Sequence, residues 1–193
     1  MNTMAMPFSL LKRPVGTGGF LNPEEVSNEF GVKKGMSIAD FGCGAGYFTI
    51  ILAEKVGKEG RIYALDVQEG ALDSVRAKAR GSDMGNVQTI RTNLEILGSS
   101  GLPNNSQDMV MLHNILFQSD KKTEVIREAH RVLKVEGKAV IIEWQKGADG
   151  FGPPDDLRTD SKDMRKFGEE LGLVFIRDFK AGDFHYGIIM EKK

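Results

Sequence analysis

The stretch Ile38-Ala39-Asp40-Phe41-Gly42-Cys43-Gly44-Ala45-Gly46-Tyr47-Phe48 combines a short apolar strand, a glycine-rich turn and the first turn of a helix. Glycines at 42, 44 and 46 keep Cβ atoms out of the turn, so the backbone bends sharply and a flat polar ligand can lie against it. A loop of this kind at the C-terminal end of a buried parallel strand is where open α/β sheets bind nucleotides. Working outward, Arg61-Ile62-Tyr63-Ala64-Leu65-Asp66 is a second apolar strand that ends in an acid. Asp66 follows the loop by about 20 residues, the spacing at which a carboxylate meets the hydroxyl pair of a ribose.

A chain of 193 residues suits one α/β domain with its own core and leaves little room for a second. Hydrophobic residues make up 40% and charged residues 27%, which excludes a disordered or a membrane-embedded chain. The formal net charge of -1 carries no global attraction to nucleic acid or an anionic membrane. Cys43 is the single cysteine, so no internal disulfide forms. That fits a reducing compartment. No apolar run approaches the roughly 18 residues of a membrane span, and residues 1–7 lack the pattern of a signal peptide. The expected location is cytoplasmic.

Residues 1–21 are expected to be irregular, because Pro7, Pro14, Gly16, Gly18 and Gly19 interrupt any period. Phe8, Leu10, Leu11 and Phe20 suit either a tail over the domain edge or a flap over the ligand cleft. The domain proper is expected over 22–193. Asn22-Pro23-Glu24-Glu25 starts a short helix, with Asn22 as cap and Val26 and Phe30 as its buried face. Strands are predicted at 36–41, 61–65, 86–91, 108–112 and 139–143. Helices are predicted at 47–56, through Ala71, Leu72, Val75 and Ala79, and from a cap at Ser119 or Asp120 with Val125, Ile126, Ala129, Val132 and Leu133 as its face. A last helix is predicted from Ser161 to Leu171. Two more strands, 173–179 and 184–190, are joined by Lys180-Ala181-Gly182-Asp183, too short for a crossover, so they form an antiparallel hairpin. The expected architecture is α/β: a Rossmann-like, seven-stranded, mostly parallel sheet with a C-terminal antiparallel hairpin and helices on both faces.

This layout resembles the class I S-adenosylmethionine-dependent methyltransferases over nearly all of 22–192. Asp40 to Thr49 resembles the family's glycine loop, Ala64-Leu65-Asp66 its acidic motif, and Ser106-Gln107-Asp108-Met109-Val110 its fourth-strand motif. Arg131-Val132-Leu133-Lys134-Val135-Glu136-Gly137-Lys138 resembles the turn before its fifth strand. Among subgroups, the chain is most similar to small-molecule methyltransferases of the ubiquinone and menaquinone C-methyltransferase group. The resemblance implies S-adenosylmethionine as cofactor, with methyl transfer to a small-molecule acceptor by in-line displacement. It implies that Gly42, Gly44 and Gly46 approach the methionine portion, with Cys43 in the same loop and Asp40 beneath it. It implies that Asp66 holds the ribose, with Val67 beside it, and that Asn93 and Leu94 border the adenine. It implies that His113 lines the space near the methyl group, where it is the candidate catalytic base, since a histidine titrates near neutral pH. Its alternative is a structural hydrogen bond to a neighbouring loop. Asn114 is a candidate to orient the acceptor.

His113-Asn114-Ile115-Leu116 stands where nucleobase and glutamine N-methyltransferases carry an Asn- or Asp-Pro-Pro-Tyr motif. No acid and histidine cluster has metal-ligand spacing, so no metal is expected. The insert before strand six is short, which leaves the cleft open or completed by a second subunit, a homodimer included. Three rival readings stay open at this point. A nicotinamide oxidoreductase shares the loop and the acid, but Tyr47 stands where its motif places a third glycine. A non-catalytic methyltransferase-like module would keep the same cofactor pocket. An RNA or protein methyltransferase would use the same cofactor, although Lys12-Arg13, Lys33-Lys34 and Lys121-Lys122 are scattered pairs and not a basic stripe.

Overall fold

The computed structural model of the protein describes residues 21–148 and 152–193. Of the tail or flap expected over 1–21, residues 1–20 lie outside the described residues, as do residues 149–151. The strands are β1 (Ser37–Phe41), β2 (Arg61–Asp66), β3 (Val87–Arg91), β4 (Gln107–His113), β5 (Leu133–Trp144), β6 (Leu173–Lys180) and β7 (His185–Lys192). They form one seven-stranded sheet in the order β3-β2-β1-β4-β5-β7-β6. Strands β1 to β5 pair in parallel, and β7 lies antiparallel between β5 and β6. The expected hairpin is therefore present, and it closes the sheet beyond β5.

The helices are α1 (Pro23–Val26), α2 (Tyr47–Val56), α3 (Glu69–Gly81), α4 (Lys122–Val132) and α5 (Ser161–Glu170). Asn22 caps α1, its side-chain oxygen accepting from the Glu24 N–H at 3.1 Å, and Gly31 ends the following 3-10 turn at φ +70°. Alternation along β1 sends Ile38 and Asp40 to one face and Ala39 and Phe41 to the other. On the first face Ile38 packs with Phe48, Leu52 and Val56 of α2, and α3 adds Leu72 and Val75 against Ala64. On the second, Phe41 and Leu112 pack with Ile126 and Val132 of α4 and Met164 of α5. Helices thus cover both faces.

Two local predictions change. Ser119 does not cap α4; the cap position falls at Lys121 with no side-chain bond to the helix. Instead the Ser119 Oγ donates to Glu95 at 2.6 Å and accepts from the Lys121 N–H. The predicted turn at Glu136-Gly137 is absorbed into β5, where Glu136 adopts φ +64° and the ladder with β4 shifts register between Gln107 and Met109. A Cβ on Gly137 would meet the Lys134 carbonyl at 2.8 Å, which explains the glycine. No helix separates β3 from β4. Leu94 and Leu102 of the intervening loop join the core on the α4 face instead.

Candidate functional site

The C-terminal ends of β1, β2, β3 and β4 border a cleft of about 450 Å³. The glycine turn forms its floor. Gly42 N–H and Cys43 N–H both donate to the Leu65 carbonyl, at 2.8 and 3.0 Å, which pins the turn to the end of β2. All three glycines have positive φ, at +69°, +51° and +80°. Their reasons differ. A Cβ on Gly42 would stand 2.6 Å from Ile115 Cδ1, and one on Gly46 would stand 2.7 Å from Val75 Cγ2. A Cβ on Gly44 would meet nothing within 4 Å. Gly42 and Gly46 are therefore required by packing, and Gly44 is the glycine that opens toward a ligand. Gly46 does not line the cleft; it caps α2 behind it.

Asp66 is built into the turn. Its carboxylate accepts from Gly44 N–H at 3.0 Å and from Gln68 N–H at 2.9 Å. Each oxygen keeps a lone pair for a further donor. Asp40 lies below, 2% exposed, on the face of β1 that meets α2. The Thr49 hydroxyl donates to it at 2.5 Å. Burial pushes the Asp40 carboxyl up to about 6, against the Thr49 bond and helped by the charge on Asp66. Burial also pushes the Cys43 thiol well above its usual range, with Asp40 and Asp66 adding to the effect. The thiol stays protonated and packs as a small apolar group beside Ala64 and Leu72.

On the β3 side, Asn93 and Leu94 line the cleft together with Val67. Asn93 Oδ1 accepts from Glu95 N–H at 3.0 Å. The loop is held from behind by Glu128, whose carboxylate accepts from Gly98 N–H at 2.7 Å and from the Ser100 hydroxyl. On the β4 side, His113 is half-buried against Phe48, with ring centroids 4.9 Å apart. Burial, with a smaller contribution from His185, lowers its imidazole to about 3. Burial thus favours the neutral ring and works against a role for His113 that needs titration near neutral pH. Asn114 follows in the left-handed region at φ +51°, its side-chain amide 3.0 Å from His185 Nε2. His185 also stacks on Trp144, centroids 4.1 Å apart.

The cleft thus gathers every predicted site residue except Gly46. It also includes residues that sequence reasoning missed, among them Gln68, Glu95, Ile115, Gln118 and Ser119. Only Glu95 carried a signal, its place just past β3; the others arrive through loop packing. Three carboxylates, Asp40, Asp66 and Glu95, line the cleft, and among the described residues no lysine or arginine does. With His113 neutral, the lining favours a ligand that carries positive charge.

A parallel sheet with a closing hairpin, a glycine turn and a ribose-spaced acid define a nucleoside-binding α/β protein. The profile of the methyltransferase-domain family matches residues 32–167. That span is more than half of the 193 residues, and the chain belongs to this family. Demethylmenaquinone methyltransferase of Geobacillus kaustophilus is 36% identical over 120 residues, covering 62% of this chain and 50% of that protein. The chain spans about half the length of the curated relatives it matches. Among solved structures, a SAM dependent methyltransferase from Aquifex aeolicus superposes with a TM-score of 0.81 at 27% identity, over 89% of this chain and 90% of that one. A candidate type 11 methyltransferase from Sulfolobus solfataricus reaches 0.74 at 31% identity, over 90% and 94%.

Proposed function

We propose that this chain is an S-adenosylmethionine-dependent methyltransferase that acts on a small-molecule acceptor. The observation that carries the reading is the charge of the cleft: three carboxylates and no lysine or arginine in its lining. That set of acceptors fits a cationic nucleoside and opposes the pyrophosphate of a nicotinamide dinucleotide. The demethylmenaquinone methyltransferases among its relatives support a small-molecule acceptor. The lone cysteine agrees with action in the cytoplasm.

When bound, the cofactor supplies a methyl group activated by a sulfonium. The chain supplies placement. Asp66, oriented by Gly44 and Gln68 N–H groups, is assigned the ribose hydroxyls, because a carboxylate accepts from two donors at once. Gly44 leaves the space that the cofactor's amino-acid portion needs. Asp40 contributes negative charge below the loop. Val67, Asn93 and Leu94 are assigned the base. His113 and Phe48 are assigned an apolar wall beside the methyl position, where excluding water and holding the acceptor in line supply much of the rate. A base role for His113 is not part of this reading, since a group near 3 offers little drive for proton removal.

Isothermal titration with S-adenosylmethionine and, separately, with NAD tests the reading. The expected result is saturable binding of the first and none of the second. Absence of S-adenosylmethionine binding overturns it.

A further inference from the structure

The end of β5 holds a buried carboxylate to which the proposed chemistry gives no task. Glu143 is 2% exposed and stands opposite Tyr186 in the β5–β7 ladder. Its Oε1 accepts from the Leu116 N–H at 2.7 Å, and the neighbouring N–H groups of Phe117 and Ile115 also favour its charged form. The loop after β4 is therefore tied by its backbone to one side chain of the next strand, at Leu116. The Leu116 N–H is a donor that a short turn cannot satisfy by itself. Buried and unpaired, it would cost about 1–3 kcal/mol.

That turn is a wall of the cleft. Ile115 and Gln118 line it, and His113 and Asn114 lead into it. Ile115 packs over Gly42 of the glycine loop. Gln118 closes the turn by donating to the Asn114 carbonyl at 2.8 Å. The position of the whole segment relative to the glycine loop follows from what its backbone grips, and Glu143 is that grip.

We propose that Glu143 is a positioning residue whose ionised carboxylate holds the 115–117 turn and so sets the wall of the cleft opposite Asp66. That this wall faces the methyl acceptor rests on the methyltransferase reading; the anchoring itself does not.

The charge of this anchor is poised. Burial raises the Glu143 carboxyl to about 7, opposed by the Leu116 N–H bond, by the nearby Phe117 and Ile115 amides and by Lys122. Lys122 faces it from α4 and donates to the Ser119 carbonyl at 2.8 Å. Tyr186 faces it from β7, its hydroxyl bonded to the Thr159 carbonyl at 3.0 Å, with Asp160 and Asp163 acting on that hydroxyl from the α5 side. His113 and His185 are both held neutral. A protonated carboxyl accepts fewer donors than a carboxylate, so the grip weakens as pH falls through neutrality.

Amide hydrogen exchange on the full chain tests this, corrected for intrinsic rates and run from pH 8 to pH 6.5, where Asp40 stays mostly ionised. In the wild type, protection of the Ile115, Leu116 and Phe117 amides is expected to fall as pH falls, while Val110 in β4 stays constant. Affinity for S-adenosylhomocysteine, read in parallel, is expected to drop by up to about four-fold, following the ionised fraction. Glu143→Gln is expected to lose the pH step and at least tenfold of the turn's protection at pH 8, and Glu143→Asp to restore part of it. Flat wild-type protection over this range overturns the proposal, and that arm needs no variant to fold. Unchanged protection in a folded Glu143→Gln protein overturns it as well. Failure of the methyltransferase reading shows separately, as absent S-adenosylmethionine binding with the exchange step intact.

Discussion

Ile115 Cδ1 lies 2.6 Å from the point that a Cβ on Gly42 would occupy, and Ile115 Cγ1 and Cβ lie at 3.0 and 3.1 Å. The first glycine of the loop is thus required by a neighbouring side chain of the protein. The isoleucine cannot turn one methyl aside to make room, because three of its atoms crowd the site. Gly42→Ala combines a left-handed residue, about 1–2 kcal/mol, with over-packing of about 1–3 kcal/mol. Gly44→Ala carries the first penalty alone, since nothing lies within 4 Å. Urea denaturation is expected to rank Gly42→Ala as clearly the less stable. Titration is expected to show Gly44→Ala losing cofactor affinity out of proportion to its stability. Equal losses of stability in the two variants would contradict this division.

Asp66 ties the glycine turn to the end of β2 through Gly44 and Gln68. Asp66→Ala is expected to weaken S-adenosylmethionine binding by tenfold or more, and to destabilise by about 1–2 kcal/mol through the two released N–H groups. Asp66→Asn, which keeps one acceptor, is expected to fall between the wild type and the alanine. Unchanged affinity in Asp66→Ala would refute the ribose role.

Asp40 trades stability for charge. Its carboxyl is raised from 3.8 to about 6, so the native state binds its proton more tightly than the unfolded chain. The stability this contributes is fully present below about 4 and is lost as pH rises through 6. Asp40→Asn removes a buried charge at neutral pH while keeping a partner for Thr49. It is expected to stabilise the fold by about 2–3 kcal/mol at pH 7.5 and to have no such effect at pH 4. Denaturation at the two pH values checks this. Affinity for the cationic cofactor is expected to fall in the same variant.

Glu128 shows the opposite linkage. Burial opposes its charge, but bonds from Arg131, Ser100 and Gly98 outweigh it and hold the carboxyl down to about 2. Its contribution is present above the ordinary value of 4.5 and is lost as pH falls toward 2. Glu128→Ala leaves Arg131 and the loop amides without their acceptor. It is expected to cost about 3–5 kcal/mol, measured by denaturation at pH 7. The loss should shrink in acid.

The sequence alone determined whatever depends on local pattern. Period-two and period-3.6 runs located the seven strands and five helices, although β5 begins at Leu133, six residues before its predicted start and at the residue where the predicted helix face ends. The short joint at 180–183 required the antiparallel hairpin, and the distance from the glycine loop to Asp66 marked the nucleoside cleft. These properties were legible because each is set by neighbours along the chain. Tertiary structure decided what depends on neighbours in space. Ser119 looks like a helix cap, yet it bonds Glu95 from another loop. His113 looks like a neutral-pH base, yet burial against Phe48 and His185 removes that titration. Glu143 is one acid at the end of an apolar strand until β4 and β5 pair and bring the Leu116 amide onto it. Desolvation and long-range hydrogen bonding exist only after the sheet order is set, so no spacing within the chain encodes them.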